Sequence, residues 1–276
     1  MNEYRGRIID VHTHIFPEKI ASKATASIGD FYALDMATVG LRNLLEAEMG
    51  NAGIRHCFLL STATVKSQVK PINDFLIETM KTSSDKFTAF GTIHIETDDP
   101  IEEVDRIRNN GITGIKFHND FQHFAVDDPR IFPVYEKAQA ERIPIMFHAG
   151  DKRYNYTNPD KFVKISKLFP DLIVIASHFG AYSEWDKIDD EYLNTNLYFD
   201  TSSALFALPF DKAKEIIKRH GEDKFLFGSD FPMWLASNEL KNIEKLDLSE
   251  ETLEKILFKN AEKLLERVGK PLRASQ

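Results

Sequence analysis

Short apolar runs recur along the chain, each closing on polar residues and most followed by a stretch with helical spacing of its apolar positions. That alternation marks parallel βα units, whose strands are buried on both faces and whose crossovers are helices. The runs cover residues 7–14, 54–62, 87–94, 114–118, 143–148, 172–178, 196–201 and 225–230. Eight strands in 276 residues match a closed barrel, which typically needs about 250. The expected fold is therefore α/β, a (β/α)8 TIM barrel, forming a single domain over residues 1–276.

The helices between the strands carry their own punctuation. In the last one Ser249 is placed to cap the first turn, and Glu250 and Glu251 suit the positive end of the helix dipole. Its apolar stripe runs through Leu253, Ile256, Leu257, Ala261, Leu264, Leu265 and Val268, and Gly269 and Pro271 stop it. Between 159 and 168, Phe162, Val163 and Ile165 form the buried side of another helix, and Phe169-Pro170-Asp171 turns the chain into the next strand. Residues 16–35 lack periodicity and follow the first strand, so they are expected to be a loop over the site. No low-complexity linker or charge block divides the chain.

Side chains alternate across a strand, so Asp10, His12 and His14 share one face while Ile9, Val11 and Thr13 share the other. In a barrel this puts two imidazoles side by side at the inner, C-terminal end of the first strand. A lone His-x-His is weak evidence, because such pairs arise by chance. Position strengthens it: His94, His118, His148 and His178 also close predicted strands, and Asp230 closes the eighth. A barrel gathers those ends at one mouth, and a desolvated cluster of imidazoles with a carboxylate is costly unless a cation, water or substrate organises it.

Neutral imidazoles with one carboxylate suit a first-row divalent ion, zinc first, whereas calcium and magnesium prefer all-oxygen cages. Such an ion lowers the pKa of its water to about 7, producing a nucleophile at neutral pH. Asp230, in Phe227-Gly228-Ser229-Asp230-Phe231-Pro232, is the candidate general base and then acid. Gly228 permits close backbone approach there. Lys116 shares a face with His118, so it is a candidate either to bind an anionic substrate group or, if carboxylated, to bridge two ions. Arg153 lies after the fifth strand, on a rim loop where it can contact substrate.

Charge and composition narrow the partners. With 35 basic and 43 acidic residues the chain carries a net charge of −8, which gives no global positive field for nucleic acid or an anionic membrane. Cys57 is the only cysteine, so no disulfide forms within the chain, and its apolar surroundings read as a small buried side chain. Residues 1–7 are polar, no later run reaches the ~18 apolar residues of a membrane span, and a cytoplasmic location is expected. The expected partners are a small-molecule substrate and, at most, further copies of the chain.

Taken together, Ile9-Asp10-Val11-His12-Thr13-His14, Gly114-Ile115-Lys116-Phe117-His118, Pro144-Ile145-Met146-Phe147-His148-Ala149-Gly150, Ser177-His178-Phe179-Gly180 and the Phe227–Pro232 run resemble the amidohydrolase superfamily. The similarity is greatest to the subgroup that contains aminocarboxymuconate semialdehyde decarboxylase, resorcylate decarboxylases and several lactonases, and it spans nearly the whole chain. The resemblance implies that His12, His14, His148 and Asp230 surround one catalytic metal. It implies that His178 is the sixth-strand histidine, which steers water or polarises substrate in mononuclear members and binds a second ion in binuclear ones. Two reactions fit: hydrolysis of a small amide, lactone or ester, and non-oxidative decarboxylation or hydration of a small carboxylic acid. A shared site does not choose between them.

Overall fold

The computed structural model describes residues 1–83 and 85–272. Residues 84 and 273–276, which fall within the expected single domain, lie outside the described residues. Eight strands, β1 (Ile8–His14), β2 (Ile54–Leu60), β3 (Phe87–Thr92), β4 (Gly114–Phe117), β5 (Ile145–Phe147), β6 (Val174–Ala176), β7 (Tyr198–Asp200) and β8 (Phe225–Leu226), pair in sequence order. Every pairing is parallel, from β1 with β2 through β7 with β8. The strands are rich in Ile, Val and Phe because both of their faces are covered, one by the barrel interior and one by helices.

All of the observed strands but β1 stop one to four residues short of where the apolar runs end. His94, His118, His148, His178 and Asp230 all lie just past the ladder. Two of these positions turn sharply in the backbone: His178 (φ 62°) and Asp230 (φ 65°) are left-handed, a conformation off the strand ladder that His and Asp adopt more readily than most residues. The chain turns there, and the side chains gather at the mouth.

The seam between the last strand and the first is joined beyond the end of β8. Val11 N donates to Phe227 O at 2.8 Å, Asp230 N to His12 O at 2.8 Å and His14 N to Phe231 O at 2.6 Å. Gly228 sits where these segments come closest: a Cβ there would meet His12 Cβ at 2.8 Å, nearer than carbon atoms pack. The expected close approach at this glycine is observed.

The final helix begins as expected, with Ser249 Oγ accepting from Thr252 N at 3.2 Å. Between Glu250–Glu254 and Asn260–Arg267 it widens into a π-helical turn, Lys255–Lys259. The turn has a use, since Ile256 O accepts from Phe227 N at 2.9 Å and so ties the helix to the strand end that precedes Asp230. Asn260 adds to the tie by donating to Glu222 O and Phe225 O, both at 2.8 Å. Cys57 is a buried free thiol. Among the described residues no helix is long and apolar enough to cross a membrane.

One expectation is corrected. Residues 16–35 are not an irregular loop but hold a fifteen-residue helix, α1 (Glu18–Tyr32). Its burial on the barrel side falls only on the small residues Ala21, Thr25 and Gly29, while Ile20, Ile28 and Phe31 face the cavity above the strand ends. Its apolar stripe of Ile20, Ala24, Ile28 and Phe31 faces the cavity, while the buried side carries only small residues, so the pattern is the reverse of a helix that packs its large side chains on the barrel.

Candidate metal centre

At the mouth, ring nitrogens and one carboxylate oxygen converge. His12 Nε2 lies 3.1 Å from His14 Nε2, and Asp230 Oδ1 lies 3.4 Å from the first and 3.2 Å from the second. Ligand atoms of His12, His178 and Asp230 all fall within 4.8 Å of one another. His148 joins through His178, its Nδ1 standing 3.0 Å from His178 Nε2.

The hydrogen bonds behind these rings fix which nitrogen carries the proton. His12 Nδ1 faces Asp200 Oδ2 at 2.9 Å, His14 Nδ1 faces Leu60 O at 3.1 Å and His178 Nδ1 faces Ser202 O at 3.0 Å. Each partner only accepts, so each Nδ1 is placed as the donor, and in a neutral ring Nε2 is then the lone pair that faces the mouth. Two such lone pairs 3.1 Å apart repel unless something positive lies between them. Two donors at about 2.0–2.1 Å from a tetrahedral ion stand about 3.3 Å apart, so the spacing of His12 and His14 suits a divalent cation.

Electrostatics agree with that reading. Burial drives the His12 ring down to about 4 and holds His178 below its ordinary value, so both are neutral at neutral pH. Burial alone would raise Asp200 and Asp230, but for Asp200 the charge interaction and hydrogen bond with the His12 ring, the nearby His178 ring and the Ser202 hydroxyl outweigh it. For Asp230 the neighbouring His12 and His14 rings outweigh it, and Ser203 Oγ donates to Asp230 Oδ2 at 2.6 Å. Both carboxyls are held below the usual carboxylate range. Neutral donors beside ionised carboxylates form a cation site rather than an anion site.

Above this floor opens a cavity of about 610 Å³. Lys116 and His118 reach it from β4 and the turn after it, and Phe16, Ile20, Ile28, Phe31 and Phe75 give it an apolar wall. Lys116 is wholly buried, and burial lowers its amine to about 8 against the opposing charges of Asp200 and Asp230. His118 lies flat between Phe121 at 3.8 Å and His148 at 4.2 Å, ring centre to ring centre, and the Tyr32 hydroxyl pairs with its Nε2 at 2.8 Å.

Two expected residues lie elsewhere. His94 does not line the cavity, and its Nδ1 instead accepts from Glu96 N at 3.2 Å in a tight turn. Arg153 does not line it either: its guanidinium holds Asp151 through Nε at 3.0 Å and Nη2 at 2.6 Å, while Nη1 donates to Phe31 O at 2.6 Å. It also covers the Phe31 ring at 4.3 Å. Arg153 is thus a clasp on the C-terminal end of α1, where helix carbonyls lack intrahelical partners.

Sequence reading missed Asp200, Ser202, Ser203, Asp120 and Tyr32. Asp200 ends β7 as Asp230 follows β8, and the strand-end criterion would have found it. Tyr32 arrives from a helix that was not expected, and no local signal marks it.

A family model described as amidohydrolase matches residues 9–267. The chain is similar in structure to an uncharacterized TIM-barrel protein from Bordetella bronchiseptica, at a TM-score of 0.79 and 23% identity, over 95% of this chain and 99% of that one. It is similar to a dihydroxybenzoic acid decarboxylase from Polaromonas with bound manganese and 2-nitroresorcinol, at a TM-score of 0.74 and 18% identity, over 95% and 97%. A candidate 2-pyrone-4,6-dicarboxylic acid hydrolase from Pseudomonas putida aligns at a TM-score of 0.65 and 13% identity, over 95% and 98%. No curated protein sequence gives a significant match.

Proposed function

The chain belongs to the amidohydrolase family, and on that premise we propose that it is a metal-dependent hydrolase of a small amide, lactone or ester. One observation carries the reading: Asp230 Oδ1 lies within 3.4 Å of the bare nitrogens of His12 and His14, at the floor of an apolar-walled cavity. His12, His14, His148 and Asp230 hold the ion in this reading, with zinc the first choice and His178 beside it. A divalent ion bound there supplies Lewis-acid polarisation of a carbonyl and acidifies water.

The chain's own groups do the rest. Asp230 takes a proton from the attacking water and returns it to the leaving group. Ser203 keeps the carboxylate aimed by occupying Oδ2. The apolar wall seats the body of the substrate, and α1 limits access of bulk water to the floor. Lys116 is the only lysine ammonium among the buried lining residues, and it is placed to receive an anionic group of the substrate.

That buried lysine also favours a second reading, decarboxylation of a small carboxylic acid with Lys116 holding the carboxylate. Metal-replete protein assayed against panels of amides, lactones, esters and aromatic acids separates the two. Hydrolysis that disappears in Asp230→Asn supports the first reading. Carbon dioxide release with no hydrolysis replaces it with the second, and no turnover of any panel member leaves a binding barrel.

A further inference from the structure

Behind His148 lies an arrangement that the reading above does not use. His148 Nε2 is buried and has no hydrogen-bond partner, and its nearest charged neighbour is Asp120 Oδ2 at 3.5 Å. Both carboxylate oxygens of Asp120 are buried and unpartnered as well. Burying a carboxyl group with nothing to bond costs free energy, so such groups are rare in folded proteins.

Asp120 is not needed to shape its own turn. The short helix Asn119–Gln122 is held by its neighbours: Asn119 Nδ2 donates to Phe124 O at 3.0 Å, Gln122 Oε1 accepts from His118 N at 3.0 Å, and Gln122 Nε2 donates to Ile93 O at 2.8 Å. Asp151, the other acid nearby, already has its carboxylate taken by Arg153. Asp120 is left facing a single imidazole.

The proton on that imidazole decides whether His148 can ligate. His178 Nε2 is a bare lone pair, so at 3.0 Å His148 Nδ1 satisfies it by donating a proton. In that tautomer Nδ1 has no lone pair for an ion. The other tautomer carries the proton on Nε2, frees Nδ1 and His178 Nε2 together, and points an N–H at Asp120 Oδ2. The present gap is about 0.5 Å longer than an ordinary N–H···O bond, and contacts of this kind tighten when the partner is engaged.

We infer that Asp120 is the positioning residue that selects the Nε2–H tautomer of His148 and so presents His148 Nδ1 to the ion. It lies behind His148 as Asp200 lies behind His12, at 3.5 Å rather than 2.9 Å. This inference rests on His148 being a ligand, as proposed above. It excludes a second ion between Asp120, His148 and Asp151, because His148 Nε2 keeps its proton and Asp151 keeps Arg153.

Zinc affinity and stoichiometry, measured by chelator competition, test it alongside thermal unfolding of the metal-free protein. Asp120→Ala is expected to weaken zinc binding about 10- to 100-fold. Asp120→Asn, whose amide oxygen still accepts, is expected to fall between Ala and wild type, with the metal-free unfolding temperature unchanged. Nitrogen NMR of the zinc-loaded protein is expected to show His148 protonated at Nε2 in the wild type. Wild-type affinity in Asp120→Ala overturns the inference while leaving the metal reading intact. So does a drop from two bound ions to one, or equal losses of affinity and metal-free stability in both variants. If His148→Ala also binds zinc as wild type does, the reading of His148 as a ligand falls with it.

Discussion

His12 and Asp200 meet at 2.9 Å, Nδ1 to Oδ2, with both side chains buried and the two residues 188 positions apart in the chain. The contact fixes the ring's tautomer and orientation and makes its outward nitrogen more basic. Asp200→Asn is therefore expected to weaken metal binding by about 10- to 100-fold while the protein stays folded. Chelator competition on purified variants checks this, and unchanged affinity would show that the ring is oriented by its packing alone.

The count of ions can be read from the same kind of measurement. His12→Ala and His14→Ala are expected to lose bound metal steeply, because each removes one of the two nitrogens 3.1 Å apart. In a mononuclear centre His178→Ala loses mainly rate. Elemental analysis showing equal metal loss from His178→Ala would instead indicate two ions, and Lys116 would then become the candidate bridge.

Removing the clasp should loosen the lid without touching the floor. Arg153→Ala deletes the hydrogen bond to Phe31 O and the cation over the Phe31 ring. Hydrogen exchange across Glu18–Tyr32 is expected to speed up several-fold while metal content stays at the wild-type level. Protection equal to wild type would mean that α1 is held by its cavity face instead.

A buried histidine away from the site makes stability fall in acid. His56 is held by Asp85 O at 3.0 Å and Thr88 Oγ1 at 2.8 Å, and burial lowers its pKa from 6.5 to about 4. Below pH 6.5 the unfolded chain takes up a proton here that the folded chain refuses until about pH 4. Stability from this group is therefore fully present above 6.5 and is lost as pH falls through that window, by about 3 kcal/mol at most. Urea unfolding from pH 4.5 to 8 is expected to show a shallower acid decline in His56→Gln than in wild type. Parallel curves would sink the assignment.

How much of this was legible in the sequence depends on distance along the chain. All eight strands were, because each is a short apolar run with its own punctuation, and His12 and His14 were, because a period of two is local. Asp200 was legible only in part: it ends β7 as Asp230 follows β8, but nothing local in Asp200-Thr201-Ser202-Ser203 sets it against His12. The clasp formed by Arg153 was not legible, because its partner Asp151 looks like a loop neighbour, and Phe31 O, which it also holds, is 122 residues away. The helix α1 stayed hidden because the cavity, not the barrel alone, claims its apolar residues.

The seam carries a consequence for synthesis. Asp230 reaches His12 only after the eighth strand has been made, and the residues that lock the two segments, Phe227 and Phe231, leave the ribosome with it. A growing chain exposes His12 and His14 from the start yet lacks their carboxylate partner for more than two hundred residues. Ring closure and completion of the donor set are thus one late event, of the long-range kind that makes folding slow.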